Sequence, residues 1–143
     1  MIRVVIDTNI LVSALLQPEG LPAAILMLAL SPRVHICVSD PVYAEYEEII
    51  RRPHLKRDPG VIEKTLAAIR EGSHWVKPTA TVQACSDPDD NMFLECAEAA
   101  EAHFLVTGNP RDFPPGWGQT RVVTTREFVA VITDAERSET PPQ

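Results

Sequence analysis

A chain of 143 residues matches the roughly 150 expected of one domain and is long enough to bury about two-thirds of its unfolded surface, which excludes a multidomain assembly. Apolar residues make up 45% of it and charged residues 23%, near the averages for globular domains, so wholesale disorder and a fibrous repeat are excluded too. With Lys+Arg 13 and Asp+Glu 20 the formal charge is −7, the wrong sign for coating nucleic acid by bulk electrostatics, and any contact with RNA or DNA must be local.

Ile2 to Ile6 is a β-branched run that stops at Asp7-Thr8-Asn9, after which Ile10, Leu11, Leu15 and Leu16 recur at helical spacing: strand, polar turn, helix. Pro18-Glu19-Gly20 breaks the chain, and Leu21 to Leu30 is nearly apolar throughout, the pattern of a helix buried between neighbours. Val34 to Val38 reads as a second strand. Ser39-Asp40-Pro41 then starts a helix with Pro inside its first turn, running to about Arg52 and stopped by Pro53. Beyond a basic loop, Val61 to Glu71 is amphipathic and ends near Gly72, and His74-Trp75-Val76 is a short strand. Asp87-Pro88-Asp89-Asp90 opens a helix over Asn91 to Ala102, and His103 to Thr107 follows as a strand. Phe113 to Gly118 reads as a flexible stretch, Arg121 to Thr124 as the last strand, and Thr124-Thr125-Arg126-Glu127 as a capping box before a closing helix. The polar, Pro-rich segment 138–143 reads as a disordered tail, which leaves a single domain over 1–137. Strands alternating with helices imply βαβ units and a mostly parallel sheet with helices on both faces; such sheets hold ligands outside the C-terminal ends of strands, where strand order reverses.

Cys37, Cys85 and Cys96 are an odd, widely spaced set with no CxxC pair, and read as small buried hydrophobes in a reducing compartment. Asp7 interrupts the N-terminus before a signal-peptide core can form, and the longest apolar run, Ala23 to Leu30, is far short of the roughly 18 residues that span a bilayer. The expectation is a soluble, cytoplasmic protein without membrane association.

Several acids stand where structure alone does not require them. Asp7 ends a strand at the edge where parallel sheets place their chemistry, though capping the next helix is an equally open role. In the helix after Pro41, with Val42, Tyr46, Ile49 and Ile50 as the buried stripe, 100° per residue puts Glu45 at the stripe's edge and turns Glu47 and Glu48 away. Either Glu45 lays its aliphatic stem on the core and reaches solvent, or its carboxylate serves a site. Asp90, Phe93, Leu94 and Ala97 follow i, i+3, i+4, i+7, so a carboxylate heads a core stripe. Asp87 at N-cap and Asp90 at N3 would suit a helix dipole, but Asp87, Asp89 and Asp90 together exceed what one cap requires, and a divalent cation among them would offset their repulsion. A calcium loop is excluded because its sixth position, which wants Gly, holds Met92.

Thr107-Gly108-Asn109 ends a strand as Asp7 does, and in a parallel sheet two such ends can lie side by side, with Asp112 three residues beyond. Arg51, Arg52, Lys56 and Arg57 are the dense positive cluster; they either track an RNA backbone, receive an acidic or apolar protein segment, or form a solvated loop. Trp117 can stack on a base or cover the edge of a core.

In order and separation, Val4-Val5-Ile6-Asp7-Thr8-Asn9, the helix with Glu45, Asp87 through Ala97, and Leu105-Val106-Thr107-Gly108-Asn109 resemble the PIN-domain family, in particular the VapC-type toxin ribonucleases, over about residues 2 to 128. The resemblance implies a three-layer α/β/α sandwich around a mostly parallel sheet, with Asp7, Glu45 and Asp90 as an acidic cluster holding Mg²⁺ or Mn²⁺. It implies a metal-dependent endoribonuclease, the toxin of a toxin–antitoxin pair, leaving a 5′-phosphate and a 3′-hydroxyl. It also implies an RNA substrate, an antitoxin partner and a homodimer, for which the apolar helix Leu21 to Leu30 offers a face. Many members carry a fourth acid after the Thr-Gly pair, where this chain has Asn109; one-metal chemistry follows unless Asp87, Asp89 or Asp112 supplies a ligand. Carboxylate-held metal gives both an activated water and neutralisation of phosphate charge. Asp7 is then the central ligand, Asp90 a second, and Glu45 a ligand or a base, while Thr8, Asn9, Thr107 and Asn109 fix those carboxylates or touch phosphate oxygens.

Other readings have specific marks against them. A haloacid-dehalogenase-type phosphatase wants a second Asp two residues after the first, where Asn9 stands, and a phospho-acceptor receiver domain wants paired acids at the first strand's end, where there is only Asp7. An inactive PIN-like module that binds RNA or protein is favoured by Asn109 and opposed by the retention of three acids that repel one another without a metal.

Overall fold

The structure is a computed structural model that describes residues 1–55 and 57–139; Lys56 and 140–143 lie outside the described residues. β1 (Ile2–Ile6) leads into α1 (Thr8–Leu16) and α2 (Leu21–Ala29), then β2 (Val34–Val38), α3 (Asp40–Ile50), α4 (Pro59–Gly72) and β3 (His74–Trp75). After a long connection come α5 (Asn91–Ala100), β4 (Phe104–Val106), β5 (Gly116–Trp117), β6 (Thr120–Val123) and α6 (Thr125–Glu139).

The strands form one six-stranded sheet in the order β3-β2-β1-β4-β6-β5. All neighbours are parallel except β5 and β6, which pair antiparallel. From β1 the chain builds outward through β2 to β3, then returns to the other side of β1 for β4 and β6. The strand order therefore reverses between β1 and β4, and the crevice outside their C-terminal ends lies between Ile6 and Val106, which are register partners. Both central strands are buried through Val4, Val5, Ile6, Leu105 and Val106, as expected of strands with helices on both faces. α5 packs on β1, β2 and β4 through Phe93, Leu94 and Ala97, and α6 packs on β4 and β6, where Phe128 meets the Phe104 ring edge-on at 5.9 Å. Each such side chain contributes about 2 kcal/mol by burial.

The predicted capping box is present: Thr124 Oγ1 accepts from the Glu127 N–H at 3.2 Å, and Glu127 Oε1 accepts from the Thr124 N–H at 3.1 Å. Four expectations are corrected. α2 is not buried all round; Ala23, Ile25, Leu26 and Ala29 face inward, while Met27 is 75% exposed, because α2 has neighbours on one side only, α1, β2 and α6. The segment after Phe113 contains β5, which turns back onto β6 through Gly118 at φ +57°, a left-handed conformation that suits glycine. α5 starts at Asn91, preceded by a separate 3-10 turn over Pro88–Asp90 that Asp87 caps, so Asp90 stands at the join rather than inside the helix. α6 continues through Glu139, two residues into the expected tail.

Candidate active site

Asp7 is the residue after β1, and a 7% exposed carboxylate is there because the strand delivers it into the crevice. Its N–H bonds to the Val106 carbonyl at 3.0 Å, so β1 and β4 hold its backbone together. The fully buried Thr107 donates from Oγ1 to Asp7 Oδ2 at 2.7 Å, and Thr107 Oγ1 in turn accepts the Asn109 N–H at 3.0 Å. Asn109's backbone thus fixes the hydroxyl rotor, the hydroxyl fixes the carboxylate, and one Asp7 oxygen remains for other partners. Asn9 Oδ1 accepts the Gly108 N–H at 3.3 Å, tying the two strand ends together.

Glu45 arrives from α3, which Ser39 caps by accepting the Val42 N–H. Its Oε2 accepts a hydrogen bond from the Thr8 hydroxyl, which brings it beside Asp7. Glu47 and Glu48 instead pair with Arg51 and Arg52 on the outside, as helical geometry predicts. Asp90 comes from the 3-10 turn before α5. Asn91 Oδ1 pins that segment by accepting the N–H groups of Ala84 and Cys85 at 3.1 and 2.9 Å, and Glu95 Oε2 accepts the Val82 N–H at 2.9 Å.

The electrostatics mark these acids as a set. Burial, and then the charges of Asp7, Asp87, Asp112 and Glu45, push the Asp90 carboxyl up to about 6. Asp7 is raised by burial and next by Glu45, against the lowering effects of the Thr107 hydroxyl and of the Asn9 and Thr8 backbone groups. Among the described residues no Lys, Arg or His side chain forms an ion pair with either carboxylate. Asp112, in the turn after Asn109, joins the set, while Asp89 is exposed. Cys85 faces the same charges, and burial followed by Asp90, Asp112, Asp7 and Asp87 drives its thiol up to about 11. It stays protonated at neutral pH and is no nucleophile. Among the described residues no three His, Cys, Asp or Glu side chains are gathered into a ready coordination cage; the acids form a looser ring around the crevice.

The PIN domain family profile matches residues 3–111, a span that includes Asp7, Glu45, Asp90 and Asn109. The chain belongs to the PIN domain family. PIN domains are generally nucleases and generally use divalent metals. This PIN domain is 33% identical over 111 residues to the uncharacterized protein MJ1680 of Methanocaldococcus jannaschii, covering 76% of this chain and 71% of that protein. In fold it is similar, with a TM-score of 0.55 and 16% identity, to a chain of VapBC2 from Rickettsia felis solved bound to a DNA fragment from its promoter; 86% of this chain and 98% of that chain are covered. Among the described residues no single helix is long and apolar enough to cross a membrane.

Tyr46 belongs to the site as well as to the buried stripe in which helical spacing places it: it is 1% exposed, and its hydroxyl donates to the carbonyl of Ile6, the residue before Asp7, a role that spacing does not show. A Tyr in an otherwise apolar stripe is the available signal, since a buried phenol needs an acceptor. Tyr46→Phe leaves that carbonyl buried without its donor, and urea unfolding should show a loss of about 1–2 kcal/mol; unchanged stability would remove Tyr46 from the account of how β1 ends.

Arg51, Arg52 and Arg57 are not part of the carboxylate ring. Arg51 pairs with Glu63 and, at 3.8 Å, with Glu47, Arg52 pairs with Glu48 at 3.6 Å, and Arg57 bonds the Leu16 carbonyl at 3.2 Å. Trp117 lies half-buried in β5, packed against the core.

Proposed function

We propose that this PIN domain is a divalent-metal-dependent endoribonuclease that hydrolyses RNA phosphodiester bonds at Asp7, Glu45 and Asp90, and that it is the toxin of a toxin–antitoxin pair. The observation that carries the reading is the set of carboxylates drawn together at the strand-order reversal, where, beyond burial, the charge of Glu45 raises the Asp7 carboxyl and those of Asp7, Asp87, Asp112 and Glu45 raise that of Asp90, with no ion pair from a described basic residue to either. A hard cation relieves that repulsion, and a donor set of carboxylate, hydroxyl and amide oxygens fits Mg²⁺ or Mn²⁺.

Asp7, through the oxygen that Thr107 does not occupy, and Asp90 would hold the metal, with Asp87 or Asp112 completing the set where Asn109 offers an amide in place of a fourth carboxylate. Bound there, the metal supplies positive charge at the scissile phosphate and makes water acidic enough to attack near neutral pH. The chain's own residues do the orienting. Thr107 turns Asp7, Thr8 holds Glu45 so that its second oxygen is free to ligate or to take a proton from the attacking water, and Asn9 and Asn109 offer neutral amides suited to phosphate oxygens. One-metal chemistry matches three strong acids. An antitoxin partner, a homodimer and a cytoplasmic location belong to the same reading, and the structural neighbour from a VapBC complex supports the first of these.

The second reading, an inactive RNA- or protein-binding module, is favoured by Asn109 alone. Incubation of labelled structured and unstructured RNAs with Mg²⁺, Mn²⁺ or EDTA separates the two. The nuclease cleaves with metal, stops in EDTA, and loses activity in the Asp7→Asn/Asp90→Asn protein; cleavage that is absent or equal in that variant would move the assignment to the binding module.

A further inference from the structure

We propose that the arginine-lined cleft where α3 meets α4 is a second phosphate site, which grips the backbone of a single-stranded RNA a few nucleotides away from the carboxylates. The inference rests on the nuclease reading for the identity of the strand, and on separate residues for its evidence.

The cleft holds about 370 Å³ between Arg51, Arg52, Pro53, Arg57, Pro59 and Ile62. Four of the chain's 13 basic residues fall between positions 51 and 57 in the sequence, and three of them, Arg51, Arg52 and Arg57, line the cleft.

Its location follows from two helices. Glu45 and Arg52 are seven residues apart, two turns, which aligns them on one face about 10.5 Å apart along the axis. The turn persists to Arg52, whose N–H bonds the Ile49 carbonyl at 3.3 Å. α1 lies beside α3, with Thr8 touching Glu45 at one end and Leu16 bonded to Arg57 at the other. That is a span of about 12 Å for eight residues. The two helices therefore carry carboxylates at one end and guanidinium groups at the other.

Arg57 is held for the purpose. Its Nη2 bonds the last carbonyl of α1, which anchors the guanidinium at the cleft, and its Nε is a buried donor without a partner. No carboxylate of a described residue lies within 4 Å of it. Among the described residues Arg52 pairs with Glu48 alone, at 3.6 Å, a pair whose side chains are 48% and 71% exposed. Exposed pairs of that kind contribute little and exchange readily, whereas a guanidinium fork matches a phosphate in a bidentate way. Glu48 thus occupies Arg52 until a phosphate replaces it. Two prolines in the wall keep the cleft's shape.

The test measures binding rather than cleavage. A fluorescent single-stranded RNA of about 12 nucleotides is titrated, across a range of salt, into the Asp7→Asn protein alone or with Arg52→Gln, Arg57→Gln or Glu48→Gln added, and a dinucleotide, whose single phosphodiester cannot occupy both sites, serves as the short control. Arg52→Gln and Arg57→Gln should each weaken binding of the long strand by about 3- to 10-fold and reduce the salt slope by about 0.7. Glu48→Gln should tighten it by about 2- to 5-fold by freeing Arg52, and the short strand should respond to none of them. Arg52 and Glu48 are exposed and Arg57 is partly exposed, while Asp7→Asn is common to every protein compared; Arg57→Lys, which keeps the charge but not the planar fork, should keep the salt slope and lose part of the affinity. Equal affinity and slope in all variants would overturn the site. So would a poly-glutamate peptide that depends on these arginines when the RNA does not, which would assign the cleft to a protein partner. Arginine-dependent binding without any wild-type cleavage would overturn the nuclease reading and leave this site standing; cleavage with arginine-independent binding would do the reverse.

Discussion

Asp7→Asn should leave a folded protein whose RNA cleavage has fallen by about 10³-fold or more, the upper range for loss of one group that stabilises transition-state charge. The substitution keeps the shape of the side chain and an oxygen to accept the Thr107 hydroxyl, so the join between β1 and β4 is preserved. What it removes is the charge at the centre of the ring. The same change should abolish the metal's effect on stability: for wild type, free Mn²⁺ at about 100 times its dissociation constant raises the unfolding free energy by about 2.7 kcal/mol. Without metal the variant should melt at a higher temperature than wild type, because burial and Glu45 both penalise the Asp7 carboxylate and a neutral amide escapes both. Loss of activity with loss of fold, or a full Mn²⁺-induced shift in the variant, would show that Asp7 is not the central ligand.

Asp90 should give the metal-free wild type an inverted response to acid, which Asp90→Asn removes. With its carboxyl raised from 3.8 to about 6, Asp90 binds its proton more readily folded than unfolded. Its contribution is full below the unfolded value and is lost as pH rises through about 6. Metal-free wild type should therefore gain stability from this group as pH is lowered from about 7 to about 4, by an amount that would approach about 3 kcal/mol if fully expressed and that solvent access reduces to about 1. The difference between wild type and Asp90→Asn across that window isolates the group, and the variant should be more stable at pH 7. With metal the same proton competes for the same oxygens, so cleavage should fall as pH drops below about 6. A wild-type minus variant stability difference that is flat with pH would place Asp90 outside the ring.

Local rules made most of the elements legible. β-branched runs, Pro and Gly punctuation and the Thr124–Glu127 capping box act within a few residues, and the structure repeats them to within two or three positions. The parallel sheet and the family were legible as well, because alternation of strand and helix and the order of four short motifs are properties of the chain read in one dimension. Glu45 was separable from Glu47 and Glu48 by the same means, since 100° per residue decides which of three neighbours faces Thr8.

What the tertiary structure alone decided depends on partners distant in sequence. Thr107 meets Asp7 across 100 residues, and Tyr46 meets Ile6 across 40; no local rule selects those pairs, because only the strand order puts β4 beside β1 and α3 under the end of β1. It likewise brought Asp112, 22 residues away in sequence, near enough for its charge to add to burial in raising the Asp90 carboxyl, and left the adjacent Asp89 exposed. The exposed side of α2 and the pairing of β5 belong here too, since burial depends on which neighbours exist and a two-residue strand carries no period to read. The sequence by itself determined which residues have the chemistry, because that is a matter of side-chain identity and local spacing. The fold determined which of them share one crevice, because Coulomb and hydrogen-bond energies depend on distance through space.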